Sequence, residues 1–111
     1  MGRPDAGTLN PDPLGAGSGA PGPDRVGPVL TAGETGLAMI EAMRLVNRDL
    51  QVLDRGSYLR VSAPGLCKLN RTEVERRLGR RFRLPADLEA VMPSFLGRFR
   101  VDEEEASWES P

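Results

Sequence analysis

Apolar residues recur at three-residue steps in the part of the chain that follows residue 34, at Leu37, Ile40, Met43 and Val46. This repeat is typical of one face of a helix that packs against a sheet. Thr31 and Glu34 have the spacing of a capping box, in which the hydroxyl accepts from an early helix amide and the carboxylate reaches back. The pattern therefore predicts a helix that Thr31 caps and that ends at Asn47.

A second helix is predicted over residues 70–78. Asn70 suits the position before the first turn, where its side chain can accept a hydrogen bond from a free amide. Val74 and Leu78 lie four residues apart and share one face of this helix. Gly79 suits the left-handed conformation that often follows a helix end.

Shorter runs of β-type residues predict a hairpin. Its strands span 50–53 and 58–63, and they are joined by a turn in which Gly56 can take a positive φ angle. Alternation along the second strand selects the side chains that should face the helix: Leu59, Val61 and Ala63. A further short strand is expected at 66–69, and Pro28 restricts a first strand around Val29 to the edge of a sheet.

The last third of the chain combines a helical and an extended pattern. A short helical turn begins at Pro85 and ends at Pro93. After it, apolar and basic residues alternate through 95–101, which is typical of one β-strand. Because consecutive strand residues point to opposite sides, we expect at least one of Phe95 and Leu96 to face outward.

Together these elements predict an α+β fold: a compact single domain of antiparallel strands covered by two main helices and one short helix. Residues 1–28 contain seven Gly and six Pro, and such a segment cannot bury enough surface to offset its ordering entropy. We therefore expect a disordered tail at 1–27, the folded domain at 28–101 and an acidic tail at 102–111. Trp108 in the acidic tail either docks on the domain or stays free.

The composition offers little for catalysis or metal binding. Histidine is absent, and the lone Cys67 excludes an internal disulfide and a cluster of thiolate ligands. The glycine-rich run at 15–19 lacks the lysine and the preceding strand of a phosphate-binding loop. We therefore expect no catalytic residue, no cofactor and no metal ion.

The same features indicate where the protein works. No run approaches the ~20 apolar residues of a membrane span. The start MGRPDAGTLN has no apolar core of a secretory signal, and a lone thiol suits a reducing compartment. We expect a cytoplasmic protein without a membrane anchor, monomeric when free.

Basic residues are concentrated in one part of the chain. Residues 68–100 hold nine basic and four acidic side chains, with five arginines between positions 76 and 83. One hypothesis is a small nucleic-acid-binding module that uses the arginine-rich segment 76–83. The net charge of −1, the acidic end of the chain and the lack of interleaved aromatic residues favour solvated arginines at a helix end instead.

Three stretches, taken in order, resemble a known family: VGPVLTAGE, DRGSYLRVSAPGLCKLNRTEVERRLGRRF and SFLGR. The chain is similar over about residues 26–100 to the effector, coupling or regulatory proteins of bacterial multicomponent di-iron monooxygenases. The toluene and alkene monooxygenase effectors are most similar, and the phenol hydroxylase and soluble methane monooxygenase regulators are more distant. Turn chemistry alone can explain each stretch, so the resemblance rests on their joint order. The Gly/Pro-rich leader and the dense arginines depart from the family pattern.

The resemblance implies a non-catalytic, cofactor-free protein that docks on the α-subunit of a di-iron hydroxylase. There it would regulate oxygen activation, substrate access and the coupling of electron transfer to hydroxylation. It also implies which residues contact the hydroxylase: Pro93, Ser94, Phe95, Leu96, Gly97 and Arg98. We call residues 93–98 the contact segment. The nucleic-acid hypothesis remains the alternative.

Overall fold

The computed structural model describes residues 24–111. Its elements are β1 (Arg25–Thr31), α1 (Glu34–Val46), β2 (Gln51–Asp54), β3 (Tyr58–Pro64), β4 (Leu66–Asn70), α2 (Arg71–Leu78), α3 (Ala86–Val91), β5 (Ser94–Leu96), β6 (Arg98–Val101) and β7 (Glu105–Glu109). The predicted fold class is confirmed, with antiparallel sheets, two main helices and one short helix. Within the described residues, no helix is long and apolar enough to cross a membrane. The expectation for residues 1–23 lies outside the described part of the chain.

The strands form two antiparallel sheets. The four-stranded sheet has the order β2-β3-β1-β5, and the three-stranded sheet has the order β4-β7-β6. The chain passes from the first sheet to the second at two glycines with positive φ angles, Gly65 between β3 and β4 and Gly97 between β5 and β6. Both crossings use a backbone conformation that glycine adopts at little cost.

The core is shared by both sheets and all three helices. The largest fully buried side chains include Trp108, Phe82, Leu30, Met39, Met43, Leu69, Leu88 and Val74. They form one cluster with the inward residues of β3. Because one core serves every element, the described residues form a single domain.

Local signals in the sequence predicted several elements correctly. Gly56 takes a φ angle of 89°, and its amide donates to Asp54 Oδ1 over 2.8 Å in the hairpin turn. Asn70 Oδ1 accepts from the Glu73 amide over 3.0 Å at the start of α2. Gly79 has a φ angle of 78° and follows the end of this helix. Each of these features depends on residues close together in the sequence.

The start of α1 differs from the prediction. Thr31 pairs with Tyr58 at the end of β1 and does not cap the helix, whose N-cap is Gly33 without a side-chain hydrogen bond. Leu37 and Val46 are exposed. An α-helix has 3.6 residues per turn, so a three-residue repeat drifts around the axis and its ends leave the buried face. The face that is buried comprises Gly36, Ala38, Met39, Ile40, Ala42 and Met43.

β1 lies inside the four-stranded sheet, which corrects the edge position expected from Pro28. The strand pairs with β3 on one side and with β5 on the other. Pro28 falls in a gap of the β3 ladder, between the pairs Val26–Ala63 and Val29–Arg60. Because Pro28 has no amide hydrogen, it makes no ladder pair with β3, and its pairing with Phe95 of β5 keeps the strand inside the sheet.

Both ends of the predicted domain also need correction. Residues 25–27, expected in the disordered tail, belong to β1. The guanidinium of Arg25 donates to the carbonyl oxygens of Asp49 over 2.6 Å and Ser62 over 2.9 Å, which fixes the start of the strand.

Residues 105–109, expected in an acidic tail, form the central strand of the three-stranded sheet. Ala106 and Trp108 point into the core, while Glu105, Ser107 and Glu109 are half-buried or exposed. The acidic residues of this strand thus stay on the accessible side, so a charged sequence can still supply an interior strand.

Candidate functional site

The contact segment does not form the single strand expected over residues 95–101. Pro93 follows α3, residues 94–96 form β5, and Arg98 begins β6. Gly97 lies between the two strands, where the chain leaves one sheet and enters the other. The break arises because β5 pairs with β1, whereas β6 pairs with β7.

Gly97 is required by both conformation and space. Its φ angle is 105°, which strains any residue with a side chain. A Cβ atom there would lie 2.8 Å from Val26 Cγ1 and 3.1 Å from the carbonyl oxygen of Glu109. The close approach of three strands therefore determines where the contact segment bends.

Phe95 and Leu96 are both exposed, at 40% and 47% of their surface. Opposed residues of an antiparallel pair lie on the same face. Phe95 opposes Pro28, which is buried, whereas Leu96 opposes Gly27. Phe95 therefore lies on the core side of the sheet edge and Leu96 lies on the opposite face. The prediction that at least one of them faces outward is confirmed.

A chain of three aromatic rings supports Phe95. Its ring centroid lies 5.3 Å from that of Phe99, which lies 5.5 Å from that of Trp108. Trp108 is fully buried, and its Nε1 atom has no acceptor among the described residues. Contacts of this kind stabilise aromatic pairs by about 0.5–1.5 kcal/mol. Phe95 is thus braced from behind while much of its surface remains accessible.

The residues before the contact segment are held by β1. Thr31 Oγ1 donates to the carbonyl oxygen of Val91 over 3.5 Å, and Leu88 of α3 is fully buried. Ser94 then pairs with Val29. The segment is consequently anchored at both ends, by α3 and β1 before it and by β6 after it.

Sequence reasoning missed the β1 residues that lie beside the segment, Gly27 and Val29. They are separated from β5 by more than 60 positions, so no local pattern indicates the pairing. The Gly27–Pro28 pair is the one local irregularity in β1 that marks this position.

The arginine-rich segment lies on α2 and the following loop, outside the contact segment. Glu73 pairs with Arg76 over 3.4 Å and with Arg77 over 3.9 Å. Arg80 Nη2 donates to Thr35 Oγ1 over 3.4 Å. All five arginines of the segment are exposed, so most of this charge is solvated, and exposed ion pairs of this kind contribute about 0–1 kcal/mol each.

Glu75 holds the loop that follows α2. Its Oε2 atom accepts from the Phe82 amide over 2.9 Å, and its Oε1 atom is 2.9 Å from Arg71 Nη1. The hydrogen bond from the Phe82 amide is the main reason why the pKa of Glu75 lies below its ordinary value, and Arg71 adds to the effect. This carboxylate therefore has a structural role.

The described residues contain no group of three or more histidine, cysteine or acidic side chains that could hold a metal ion. Burial raises the pKa of the Cys67 thiol to about 12, which leaves it a poor nucleophile. An open groove is lined by Val46, Asn47, Arg48, Asp49, Pro64, Leu66 and Lys68. It contains no arrangement of an acid, a base and a nucleophile.

Comparison with known proteins identifies the family. The MmoB/DmpM family model matches residues 24–109, which is nearly the whole described region. The chain belongs to the MmoB/DmpM family. It is also 40% identical over 85 residues to the effector subunit of an alkene monooxygenase system from Xanthobacter autotrophicus strain Py2, covering 75% of this chain and 83% of that one.

Solved structures share the fold of this MmoB/DmpM protein. A chain of a phenol hydroxylase–regulatory protein complex has a TM-score of 0.70 at 21% identity, covering 78% of this chain and 99% of that chain. The soluble methane monooxygenase regulatory protein B has a TM-score of 0.63 at 23% identity, covering 90% of this chain and 71% of that chain. The family membership confirms the resemblance seen in the sequence, and the chain is an effector or regulatory protein of the multicomponent monooxygenase type.

Proposed function

We propose that this protein is a non-catalytic effector that docks on the di-iron hydroxylase component of a multicomponent monooxygenase. The observation that carries the proposal is the family match combined with an ordered, accessible contact segment. The likeness to a regulatory protein solved in complex with phenol hydroxylase supports a hydroxylase as the partner. The lone reduced thiol of Cys67 suits the cytoplasm as the place where both proteins work.

The geometry of the contact segment supports docking. Phe95 and Leu96 present apolar surface on two sides of a short edge strand, and Phe99 braces the aromatic ring. A large side chain already held in position loses little conformational entropy when a partner covers it. Such rigid apolar groups commonly act as anchors in protein interfaces.

Docking would change the hydroxylase rather than carry out chemistry on this chain. A rigid domain pressed over a di-iron site can alter the substrate path and exclude water from it. The effector would thereby control oxygen activation, substrate entry and the coupling of reductant use to product formation. If the hydroxylase interconverts between an inactive and an active conformation, the effector can favour the active one only by binding it more tightly than the inactive one.

The test is to truncate Leu96 and Phe95 to alanine and to measure affinity for the cognate hydroxylase together with coupled turnover. Leu96→Ala should leave the unfolding free energy within about 1 kcal/mol, because this side chain is half exposed. Its affinity should fall about 30-fold, as expected for an interface anchor. Phe95→Ala should lose affinity to a similar extent and some stability as well, because Phe99 packs on its ring.

Leu45→Ala is the matched control, because Leu45 is an apolar residue of α1 that is 58% exposed. It should bind and stimulate the hydroxylase as the unmodified protein does. If a folded Leu96→Ala and Phe95→Ala double variant still binds and couples normally, the contact segment is not part of the interface. Failure of the unmodified protein to bind any di-iron hydroxylase would contradict the effector role itself.

A further inference from the structure

One face of the four-stranded sheet points away from the core. The strand registers place Leu53, Arg60, Val29 and Ser94 in a row that crosses all four strands. Tyr58 lies two residues along β3 on the same face, and Leu96 lies two residues along β5. We call the surface formed by these six residues the outer face.

Alternating burial along the strands indicates that no described element covers the outer face. In β1 and β3 the residues of the opposite face, such as Leu30 and Leu59, are fully or nearly fully buried. On the outer face, Val29 is half-buried and Tyr58 is 39% exposed. The outer face is therefore an accessible sheet surface, continuous with the contact segment through Leu96.

Arg60 lies at the centre of this surface and is half-buried. Within the described residues, its guanidinium has no ion pair and no side-chain hydrogen bond. Arg25, on the same side of the sheet, does have partners. Its guanidinium lies 3.2 Å from Asp49 Oδ2, and its Nε atom donates to the Ser62 hydroxyl over 3.1 Å. Leu53, Val29 and Tyr58 flank Arg60, and arginine and tyrosine are both enriched among interface hot spots.

No residue of the outer face carries a carboxylate, and Asp49, which lies beside the same side of the sheet, is already paired with Arg25. None of its six residues is acidic, and neither are the neighbouring strand residues on the same side of the sheet: Arg25, Gly27, Thr31, Gln51, Ser62 and Pro64. A partner that covers this face must supply an acceptor for Arg60, because a desolvated and unpaired charge is strongly unfavourable. The chemistry required of the partner is thus an apolar surface with a carboxylate at its centre.

We propose that the outer face is the main docking surface for the hydroxylase and that Arg60 forms an ion pair with a carboxylate of that partner. The inference rests on the proposed effector function and deepens it. Docking through Leu96 alone would leave the adjoining outer-face residues in water, whereas a partner seated across the sheet covers both together. The contact segment then belongs to this larger interface, because the partner meets Leu96 on the outer face and reaches Phe95 over the free edge of β5.

A second copy of this chain fits the outer face poorly. In a symmetric dimer the same patch meets itself, so a two-fold axis near the centre of the face brings each Arg60 close to its counterpart. Two like charges without a carboxylate between them would repel each other in a desolvated interface. The absence of acidic residues from the face therefore favours a different protein that carries one.

The experiment compares Arg60→Gln and Arg60→Lys in binding to the cognate hydroxylase. Loss of a desolvated charge partner should weaken binding by Arg60→Gln about 30-fold or more. The affinity of Arg60→Lys should lie between those of Arg60→Gln and the unmodified protein, because lysine keeps the charge but cannot form a bidentate contact with a carboxylate. Arg55→Gln, which removes an exposed arginine in the neighbouring turn, should change the affinity less than about threefold.

A second measurement does not depend on how well the variants fold. Amide hydrogen exchange of the unmodified protein should slow on hydroxylase binding in residues 51–54, 58–62 and 27–29. Protection confined to 93–98, together with normal binding by Arg60→Gln, would overturn the inference while leaving the effector role intact. Concentration-dependent dimers that disappear with Arg60→Gln would overturn it in favour of self-association. No hydroxylase binding by the unmodified protein would instead reject the effector role.

Discussion

Single residues decide where the contact segment bends. Gly97 allows the chain to change sheets because it can adopt a φ angle of 105° and because the site has no room for a side chain. Gly56 in the hairpin turn has a φ angle of 89°, but a Cβ atom there would meet no neighbouring atom within 4 Å. The two glycines therefore share a conformational requirement, and only Gly97 has a packing requirement in addition.

Replacing Gly97 with alanine should lower the free energy of unfolding more than replacing Gly56. In both variants the free energy of unfolding should fall by about 1–2 kcal/mol, because alanine is strained at a positive φ angle. Gly97→Ala should lose about 1–3 kcal/mol more because its Cβ meets Val26 and the Glu109 carbonyl. Urea denaturation followed by Trp108 fluorescence measures both values. Equal losses would mean that the strands can separate at Gly97 without cost.

Cys67 makes stability depend on pH in the alkaline range. Burial raises the pKa of its thiol from 9.0 to about 12, against a smaller lowering effect of Arg25. The unfolded chain therefore releases this proton first, so the stabilising contribution is complete below pH 9.0 and is lost as the pH rises towards 12. The unfolding free energy should fall more steeply above pH 9.0 than it does for Cys67→Ala. Parallel curves for the two proteins would contradict a buried, neutral thiol.

At the scale of elements, the two main helices begin in different ways. Asn70 caps α2 with a side-chain hydrogen bond of 3.0 Å, whereas α1 starts at Gly33 without one. The capping-box spacing of Thr31 and Glu34 is present in the sequence, but β1 continues through Thr31. Pairing with β3 prevails over a local cap because it joins Thr31 to a complete strand.

Removing the two side chains should therefore have unequal effects. Asn70→Ala should lower the unfolding free energy by about 1 kcal/mol, as for other N-caps. Thr31→Ala loses only a hydrogen bond of 3.5 Å at an exposed position and should cost less than about 0.5 kcal/mol. Thermal and urea unfolding of both variants provide the comparison. A larger loss of unfolding free energy for Thr31→Ala than for Asn70→Ala would indicate that Thr31 caps α1 after all.

At the scale of the whole molecule, the arginine-rich helix α2 lies beside the acidic turn that precedes β7. Arginines cluster on α2 and the following loop, while the acidic turn before β7 is tied down by Arg71, whose Nη2 atom is 2.8 Å from Glu104 Oε1. The net charge is −1, so no strong overall field attracts a polyanion. The charge distribution suits oriented docking on a protein better than binding along nucleic acid.

Nucleic-acid binding should accordingly be weak and sensitive to salt. A labelled DNA or RNA duplex should show little binding at ~50 mM salt and none at ~200 mM, because a few phosphate contacts are easily replaced by counterions. Fluorescence anisotropy over this range is sufficient, with Arg80→Gln/Arg81→Gln as the variant that lowers any residual binding. A sequence-selective complex that survives at ~150 mM salt would favour the nucleic-acid hypothesis.

Local sequence determined the features whose partners lie a few residues away. The turn at Gly56, the Asn70 cap and the Gly79 helix end all follow from side-chain size and hydrogen bonding within one turn. Alternation also predicted that Phe95 and Leu96 would lie on opposite sides of their strand. These preferences act before any distant contact forms, which is why the sequence pattern was sufficient.

Tertiary structure alone decided the features that depend on distant strands. The acidic 105–109 segment becomes a central strand because β4 and β6 both need a partner and Trp108 fills the core between them. β1 lies inside its sheet because β5 pairs with its far side, and the contact segment breaks at Gly97 because its two halves join different sheets. Strand pairing satisfies backbone groups that can be 40 or more positions apart, and a local pattern carries no information about such a partner.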